Sequence, residues 1–408
     1  MKNNLKVAVA ALAGIVLGLA SVPVRAQTAA QNEIVLATSL PLTGKYAADG
    51  VATRNGYRLA ADRVNAKGGV KVGAKTFKLK LVYVDNQSLA ERVTEDTENF
   101  ITKDGVKFML GSYSSALIGA QSKVTDKHKI LLVQGSGADR SLYMQGSKHF
   151  FGVLNTADAY FSSAIDLLAE YAKKAGQDTK TLKVAIAVEP DSFSRDVRNG
   201  TLRDIEKYGM QIVVNEELPK ELDDMLPILE KVRAAKPDIF FVSGHSKGAA
   251  LLARQLPPMK LGIPMLVLTH CDGAKLAETF GKGVQGYTCS SQWDGSLPLR
   301  DRWFENAAGF ASSYLADFKQ AAPYQAAQAG AAVLVFANAF EKAGTLDPEK
   351  VRQAVAATNL KTFFGAVRFD ENGRNTAKTM VVYQIQDGDY KVVAPSQWAQ
   401  SALIYPIQ

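Results

Sequence analysis

The sequence predicts an α/β protein built as two doubly wound lobes, and three observations carry that expectation. Short apolar runs rich in β-branched residues alternate with helix-period segments from Ile34 to Leu268. The alternation occurs as two series of similar length, each suited to a parallel sheet covered by helices on both faces. With 408 residues, 47% of them hydrophobic and 22% charged, the chain can fill two cores.

In the first series, Ile34–Ser39, Leu79–Val84, Lys107–Leu110 and Ile130–Val133 read as strands, with helices over Ala48–Ala66, Leu89–Thr102 and Leu117–Lys127. The second helix shows its face plainly, since Leu89, Val93, Thr97, Phe100 and Ile101 recur at helical spacing. In the second series, Lys183–Val188, Gln211–Val214, Ile239–Val242 and Met265–Leu268 read as strands. Ser194–Tyr208, Met225–Ala235 and Gly248–Leu256 are the intervening helices. The last third differs: Leu299–Gln320 and Gln325–Lys342 look helical, followed by short strands over Val367–Asp370, Thr379–Gln386 and Tyr390–Val393. Asp370-Glu-Asn-Gly373 and Asp387-Gly388 mark turns between those strands.

The N-terminus reads as a signal peptide. Lys2 and Lys6 form a basic start, Val7 to Ala20 is an uncharged apolar stretch, and Val24-Arg25-Ala26 places small residues for cleavage after Ala26. Export to the periplasm follows as an expectation. Cleavage would lower the formal charge of +8 by three basic residues, Lys2, Lys6 and Arg25. The remaining charge is interspersed, which gives no nucleic-acid footprint. Two cysteines, Cys271 and Cys289, are too few for a disulfide scaffold or a zinc cluster. A single disulfide and two buried free thiols are both compatible with them. Four scattered histidines add no metal constellation, and no metal or cofactor is expected; His128 and His149 read as surface residues.

In parallel sheets, ligands bind outside the carboxyl ends of the strands. The loops of interest are therefore 40–50, 111–115, 134–140, 189–195, 243–248 and 269–273. Gly244-His-Ser-Lys-Gly248 fits the nucleophile-elbow pattern of hydrolases. The elbow also needs an acid and then a histidine downstream. Only His270 follows Ser246, with no acid between them, so a triad cannot form in that order. A helix start with Ser246 as N-cap is the simpler reading. Gly135-Ser-Gly137 lacks the third glycine of a dinucleotide fingerprint, because Arg140 stands there.

Taken together, Leu40-Pro-Leu-Thr-Gly44 with Tyr46, Val64-Asn-Ala-Lys-Gly-Gly69, Gly111-Ser-Tyr-Ser-Ser115 and the stretch Ile239 to Gln255 resemble the leucine/isoleucine/valine-binding family of periplasmic binding proteins. The resemblance spans essentially the whole chain after Ala26. It implies a type I fold with three hinge crossings, placed near Leu154, Ser291 and Tyr383, dividing the chain into 27–154 plus 291–382 and 155–290 plus 383–408. It also implies no enzymatic activity, and capture by lobe closure for a membrane permease of an ABC importer, with a monomer as the default state.

The same resemblance transfers ligand contacts to Ser115, whose hydroxyl and amide would take a carboxylate, with Ser114 beside it, and to Ser136, whose carbonyl would meet an α-ammonium. Gly137 and Ala138 follow in that turn. Tyr113, Phe193, Tyr46 and Tyr324 are candidate walls, and Asp272 is the candidate acid for the ammonium, expected between Thr269 and Asp272. Two positions depart from the family pattern. Ala138 stands where a threonine hydroxyl is usual, and His245 where a carboxylate-binding tyrosine is common. Losing the hydroxyl weakens the ammonium half of the site, whereas a protonated His245 attracts a carboxylate. The expected ligand is therefore an aromatic or otherwise apolar carboxylic acid, ahead of a branched-chain amino acid. A ligand sensor of the same fold and a secreted serine hydrolase using Ser246 are the competing functions. Tyr113 and Phe193 as core aromatics, Ser115 as a helix cap and Arg140 and Arg195 as surface pairs are the structural alternatives.

Overall fold

The computed structural model describes residues 32–407; the expected signal peptide lies outside them. The chain begins with β1 (Glu33–Leu40), α1 (Ala47–Ala66), β2 (Val70–Val72), β3 (Lys75–Asp85), α2 (Ala90–Thr102), β4 (Phe108–Leu110), α3 (Ser115–Lys127), β5 (Leu131–Gln134) and β6 (Phe150–Gly152). These strands form a six-stranded sheet in the order β2-β3-β1-β4-β5-β6, parallel except for the β2–β3 hairpin. The sheet is the centre of the first lobe.

The chain then crosses over to α4 (Ser162–Lys174), β7 (Lys183–Val188), α5 (Ser192–Tyr208), β8 (Gln211–Glu217), α6 (Leu226–Ala235), β9 (Ile239–Ser243), α7 (Ser246–Met259), β10 (Met265–Leu268), α8 (Leu276–Phe280) and β11 (Thr288–Ser291). It returns to the first lobe for α9 (Ala307–Phe318), α10 (Tyr324–Ala343), α11 (Pro348–Ala356) and the hairpin β12 (Asn359–Thr362) and β13 (Gly365–Arg368). A last crossing leads into β14 (Val381–Gln386) and β15 (Asp389–Ala394), which complete a second sheet in the order β15-β14-β11-β10-β9-β7-β8. The third crossing thus ends where β14 starts, at Val381.

The central strands β7, β9 and β10 are buried almost throughout, as their unbroken apolar runs require when helices cover both faces. Helix α10 is the spine of the first lobe, buried from Tyr324 to Phe340. It packs closely on α1 because Gly56 has no side chain; a Cβ there would sit 2.0 Å from the Ala326 carbonyl oxygen. Such a contact leaves room for no other residue.

Most elements fall where the sequence pattern predicts them, with two informative differences. The helix expected over Leu299–Gln320 begins only at Ala307. Asp301 Oδ1 accepts the amides of Trp303 and Phe304, and its Oδ2 accepts that of Phe363, so a side chain holds this segment in a turn. Asn306 then caps the helix through the Gly309 amide at 2.7 Å. The short strands β2, β6 and β11 have no apolar alternation long enough to register. Cys271 and Cys289 are joined as a disulfide that ties the loop after β10 to β11. Among the described residues no helix is long and apolar enough to cross a membrane.

Candidate functional site

Both sheets change winding direction at one point: between β1 and β4 in the first lobe, and between β7 and β9 in the second. Loops leaving the carboxyl ends of those strands face one another across the molecule. The first lobe contributes Lys45, Tyr46 and Asp49 after β1 and Tyr113 to Ser115 after β4. The second contributes Glu189 and Asp191 after β7, His245 and Ser246 after β9, and His270 after β10.

These groups meet directly. The Tyr113 hydroxyl oxygen lies 2.8 Å from His245 Nδ1 and 2.9 Å from His270 Nε2, and the Tyr324 hydroxyl lies 3.0 Å from the same His270 nitrogen. Ser246 donates to Asp49 Oδ1 at 2.5 Å, and Gln325 Nε2 donates to that oxygen at 3.1 Å. The Lys45 ammonium pairs with Glu189 Oε2 at 3.1 Å, and Glu189 Oε1 accepts the His245 amide at 2.8 Å. Aromatic rings enclose the imidazoles: Tyr46 lies 4.9 Å from His245, and Phe193 lies 5.6 Å from His245 and 5.5 Å from His270, centroid to centroid.

The electrostatics separate the two histidines. Burial alone would neutralise both. For His245 burial is the largest effect, but the Asp191 carboxylate, 3.5 Å from Nε2, together with Glu189 and Asp49 outweighs it and raises the pKa above the usual imidazole value. Asp191 is correspondingly held down to about 2: burial opposes this, but His245 and the Ser194 amide prevail. His270 has no such partner; burial and the neighbouring His245 push it well below the usual value. The proton assignment that fits has His245 charged and donating from Nδ1 to the Tyr113 oxygen, and Tyr113 donating to a neutral His270. His270 then carries its proton on Nδ1, a buried atom without a hydrogen-bond partner, while His245 Nε2 has the Asp191 carboxylate nearby but no hydrogen bond of good geometry. His270 also adopts φ 63°, a conformation uncommon outside glycine and one that concentrates at binding sites.

Of the residues singled out in the sequence, Tyr46, Tyr113, Phe193, His245 and Tyr324 gather in this cluster. Ser114, Ser115, Ser136, Gly137 and Ala138 lie on the first-lobe side, but much of their hydrogen bonding is internal. Ser115 Oγ accepts the Ala138 and Asp139 amides at 3.0 and 3.1 Å, so the Ala138 N–H expected to face a ligand is engaged. Ser136 Oγ accepts from Gln328 at 3.1 Å, and the Gly137 amide and carbonyl are both taken by Gln134. Asp272 does not reach the imidazoles; its carboxylate accepts the Gly273 and Tyr324 amides at 2.9 and 2.8 Å. Within the stretch expected to hold an acid, His270 is the residue that touches Tyr113.

Ser246 is not the N-cap of α7, as the pattern suggested. His245 occupies that position, and the Ser246 hydroxyl reaches across to Asp49. Its hydrogen-bond partner is thus a carboxylate rather than an imidazole. Arg195 pairs with Glu217 and Arg140 with Asp158, both at the surface. Sequence reasoning missed Lys45, Asp49, Glu189, Asp191 and His270. Each lies within or beside a strand-end loop already marked, but no local pattern says which polar residue turns inward. Glu189, Asp191 and His245 also bring ligand-type atoms within 4.8 Å of one another, although the Lys45 ammonium already supplies positive charge to Glu189.

Two α/β lobes that close strand-end loops over a shared polar and aromatic cleft define a bilobed solute-binding protein of the type I fold. The model of the family described as periplasmic binding protein matches residues 33–389, and the chain belongs to that family. A Leu/Ile/Val-binding protein homolog of Brucella suis is 24% identical over 398 residues, covering 95% of this chain and 96% of the relative. The fold is shared with the branched-chain amino acid transporter substrate binding protein of Streptococcus pneumoniae in complex with isoleucine, at a TM-score of 0.76 and 20% identity, covering 89% of this chain and 100% of that one. It is shared equally with a solute binding protein from R. palustris in complex with benzoate, at a TM-score of 0.74 and 18% identity, covering 89% and 96%.

Proposed function

We propose that this chain is the solute-binding component of an ABC-type importer and that its cleft captures a small aromatic or otherwise apolar carboxylic acid. One observation carries the reading: a buried histidine whose surroundings favour its charged form sits at the cross-lobe contact inside a cage of aromatic rings. A carboxylate there gains a charge-assisted hydrogen bond, and its flat body gains aromatic packing. The site residues are Tyr46, Tyr113, Phe193, His245, His270 and Tyr324, with Ser114, Ser115, Ser136, Gly137, Ala138 and Asp272 in a supporting shell. Ligand contact with both lobes is what makes closure favourable, because only a differential affinity shifts the balance. The closed monomer would then present to a membrane permease.

An amino acid is the second reading, favoured by the three nearby acids. Each of them already has a partner, however: Glu189 has Lys45, Asp191 has His245 and the Ser194 amide, and Asp49 has Ser246 and Gln325. An α-ammonium would have to displace one of these, which weighs against it. Calorimetric titration of the secreted form with benzoate, cinnamate and leucine decides between the two. Heat from the aromatic acids with a weaker leucine signal is expected; tight leucine binding with silent acids overturns the proposal. Mass spectrometry of whatever co-purifies with the protein would name the ligand.

A further inference from the structure

A cavity of about 510 Å³ lies between the lobes, apart from the histidine cluster. That volume is ample for a small organic molecule. Its walls come from three places. Asp272 and the rings of Tyr383 and Tyr390 belong to the second lobe, Leu315 projects from α9 of the first, and Trp293 and Asp294 lie on the crossing between them. Tyr324 links the two regions, its amide donating to Asp272 at the cavity wall and its hydroxyl reaching His270.

The lining has a consistent chemistry. Three carboxylates, Asp272, Asp294 and the exposed Glu278, and three aromatic rings line a space whose lysines, Lys275 and Lys319, stand exposed at the rim. There Lys275 donates to Gln320 across the lobes and Lys319 to the Ala316 carbonyl. The Tyr383 hydroxyl is buried and has no hydrogen bond of good geometry, although Asp272 lies close enough to interact with it. Neighbouring protein surrounds the Asp272 carboxyl while part of the residue still reaches the cavity; this burial pushes the carboxyl up to about 7, and the nearby Asp294 adds to the effect. An acid held in that way is stabilised in its charged form by any cation that enters.

We propose that this cavity is a second small-molecule site, one that takes an organic ammonium with a compact aromatic or alkyl body. The ammonium would lie between Asp272 and Asp294, with the body against Trp293, Tyr383 and Tyr390, an arrangement that cation–π attraction reinforces. Because both lobes line the site, its occupant binds the closed form preferentially and tightens the main cleft for its own guest, and the reverse holds equally.

The test uses the secreted form, with benzylammonium as probe and benzyl alcohol as its neutral counterpart, read by thermal shift and calorimetry. Benzylammonium is expected to raise the unfolding temperature and to bind at least about tenfold more tightly than benzyl alcohol, a tenfold ratio being about 1.4 kcal/mol. Asp294→Lys should weaken the probe by at least about tenfold, and Leu315→Arg, on an exposed helix position, should weaken it in the same direction. His245→Ala removes a cross-lobe contact and so should weaken the probe only through the open–closed balance, far less than Asp294→Lys does. No response to millimolar benzylammonium overturns the proposal, as does an affinity untouched by both charge variants or one abolished by His245→Ala. The benzoate and leucine titrations read the main cleft separately, so either proposal can fail alone.

Discussion

Tyr113 and His245 belong to opposite lobes, yet the Tyr113 hydroxyl lies 2.8 Å from His245 Nδ1 in a buried setting. The contact joins the turn after β4 to the start of α7, 132 residues apart in the chain. Removing the hydroxyl strands the buried His245 Nδ1 and leaves His270 Nε2 only the Tyr324 hydroxyl. Tyr113→Phe is therefore expected to destabilise the closed form by about 1–3 kcal/mol. Small-angle scattering should show a larger share of open molecules, and calorimetry should show ligand affinity reduced by about tenfold. An unchanged affinity would mean that the bridge contributes nothing to closure.

The His245–Asp191 pair sets a pH dependence. The pKa of His245 is raised, so its contribution is complete below about pH 6.5 and is lost as pH rises through its folded-state value. Asp191 is held at about 2, so its contribution is complete above its ordinary value of 3.8 and fades as pH falls through 2. Neutral His270 and the raised Asp272 act in the opposite senses, which makes carboxylate affinity a cleaner readout than global stability. Benzoate affinity should fall as pH is raised from about 5 to about 9. Asp191→Asn should move that fall to lower pH, because His245 loses the charge that supports its protonation. A pH-independent affinity would place the imidazolium outside the binding event.

Ser246→Ala removes one of two donors to the buried Asp49 carboxyl, whose pKa burial already pushes up. Because this bond crosses the cleft, the loss falls on the closed state. Ligand affinity should drop by about tenfold while the unfolding temperature of the ligand-free protein changes little. Turnover of an activated ester should stay at background in both proteins; turnover present in the wild type and lost in the variant would establish a hydrolase.

The Cys271–Cys289 disulfide closes a separation of 18 residues and anchors the loop after β10 between His270, immediately before Cys271, and Asp272, immediately after it. Replacing both cysteines with serine is expected to lower stability by about 3 kcal/mol. Because His270 holds a conformation unfavourable for a side-chain-bearing residue, the freed loop should also relax, weakening the ligand. A thermal melt and a benzoate titration of the double variant test the two effects separately.

The sequence alone determined the architecture, because the period of its apolar residues is a local property. Buried parallel strands must be apolar throughout, and the helices between them must carry a striped face. The strand-end loops were legible for the same reason, and Tyr46, Tyr113, Phe193 and His245 lie on them, whereas Tyr324 opens α10. Residues 299–306, where Asp301 competes for backbone amides, and β2, β6 and β11, too short to show a period, were illegible, and α4, α8, α11 and β12 also went unread.

Only the tertiary structure decided which polar residues meet. Nothing local to Thr269-His-Cys-Asp272 says that His270 turns toward Tyr113 while Asp272 turns toward the Tyr324 amide. Nor does Ser246 reveal that its partner is Asp49, 197 residues earlier. Charges and hydrogen bonds depend on distances across two lobes, and closure sets those distances. The periodicity of one segment fixes its shape, but the charge on His245 depends on Asp191 being brought within 3.5 Å of it.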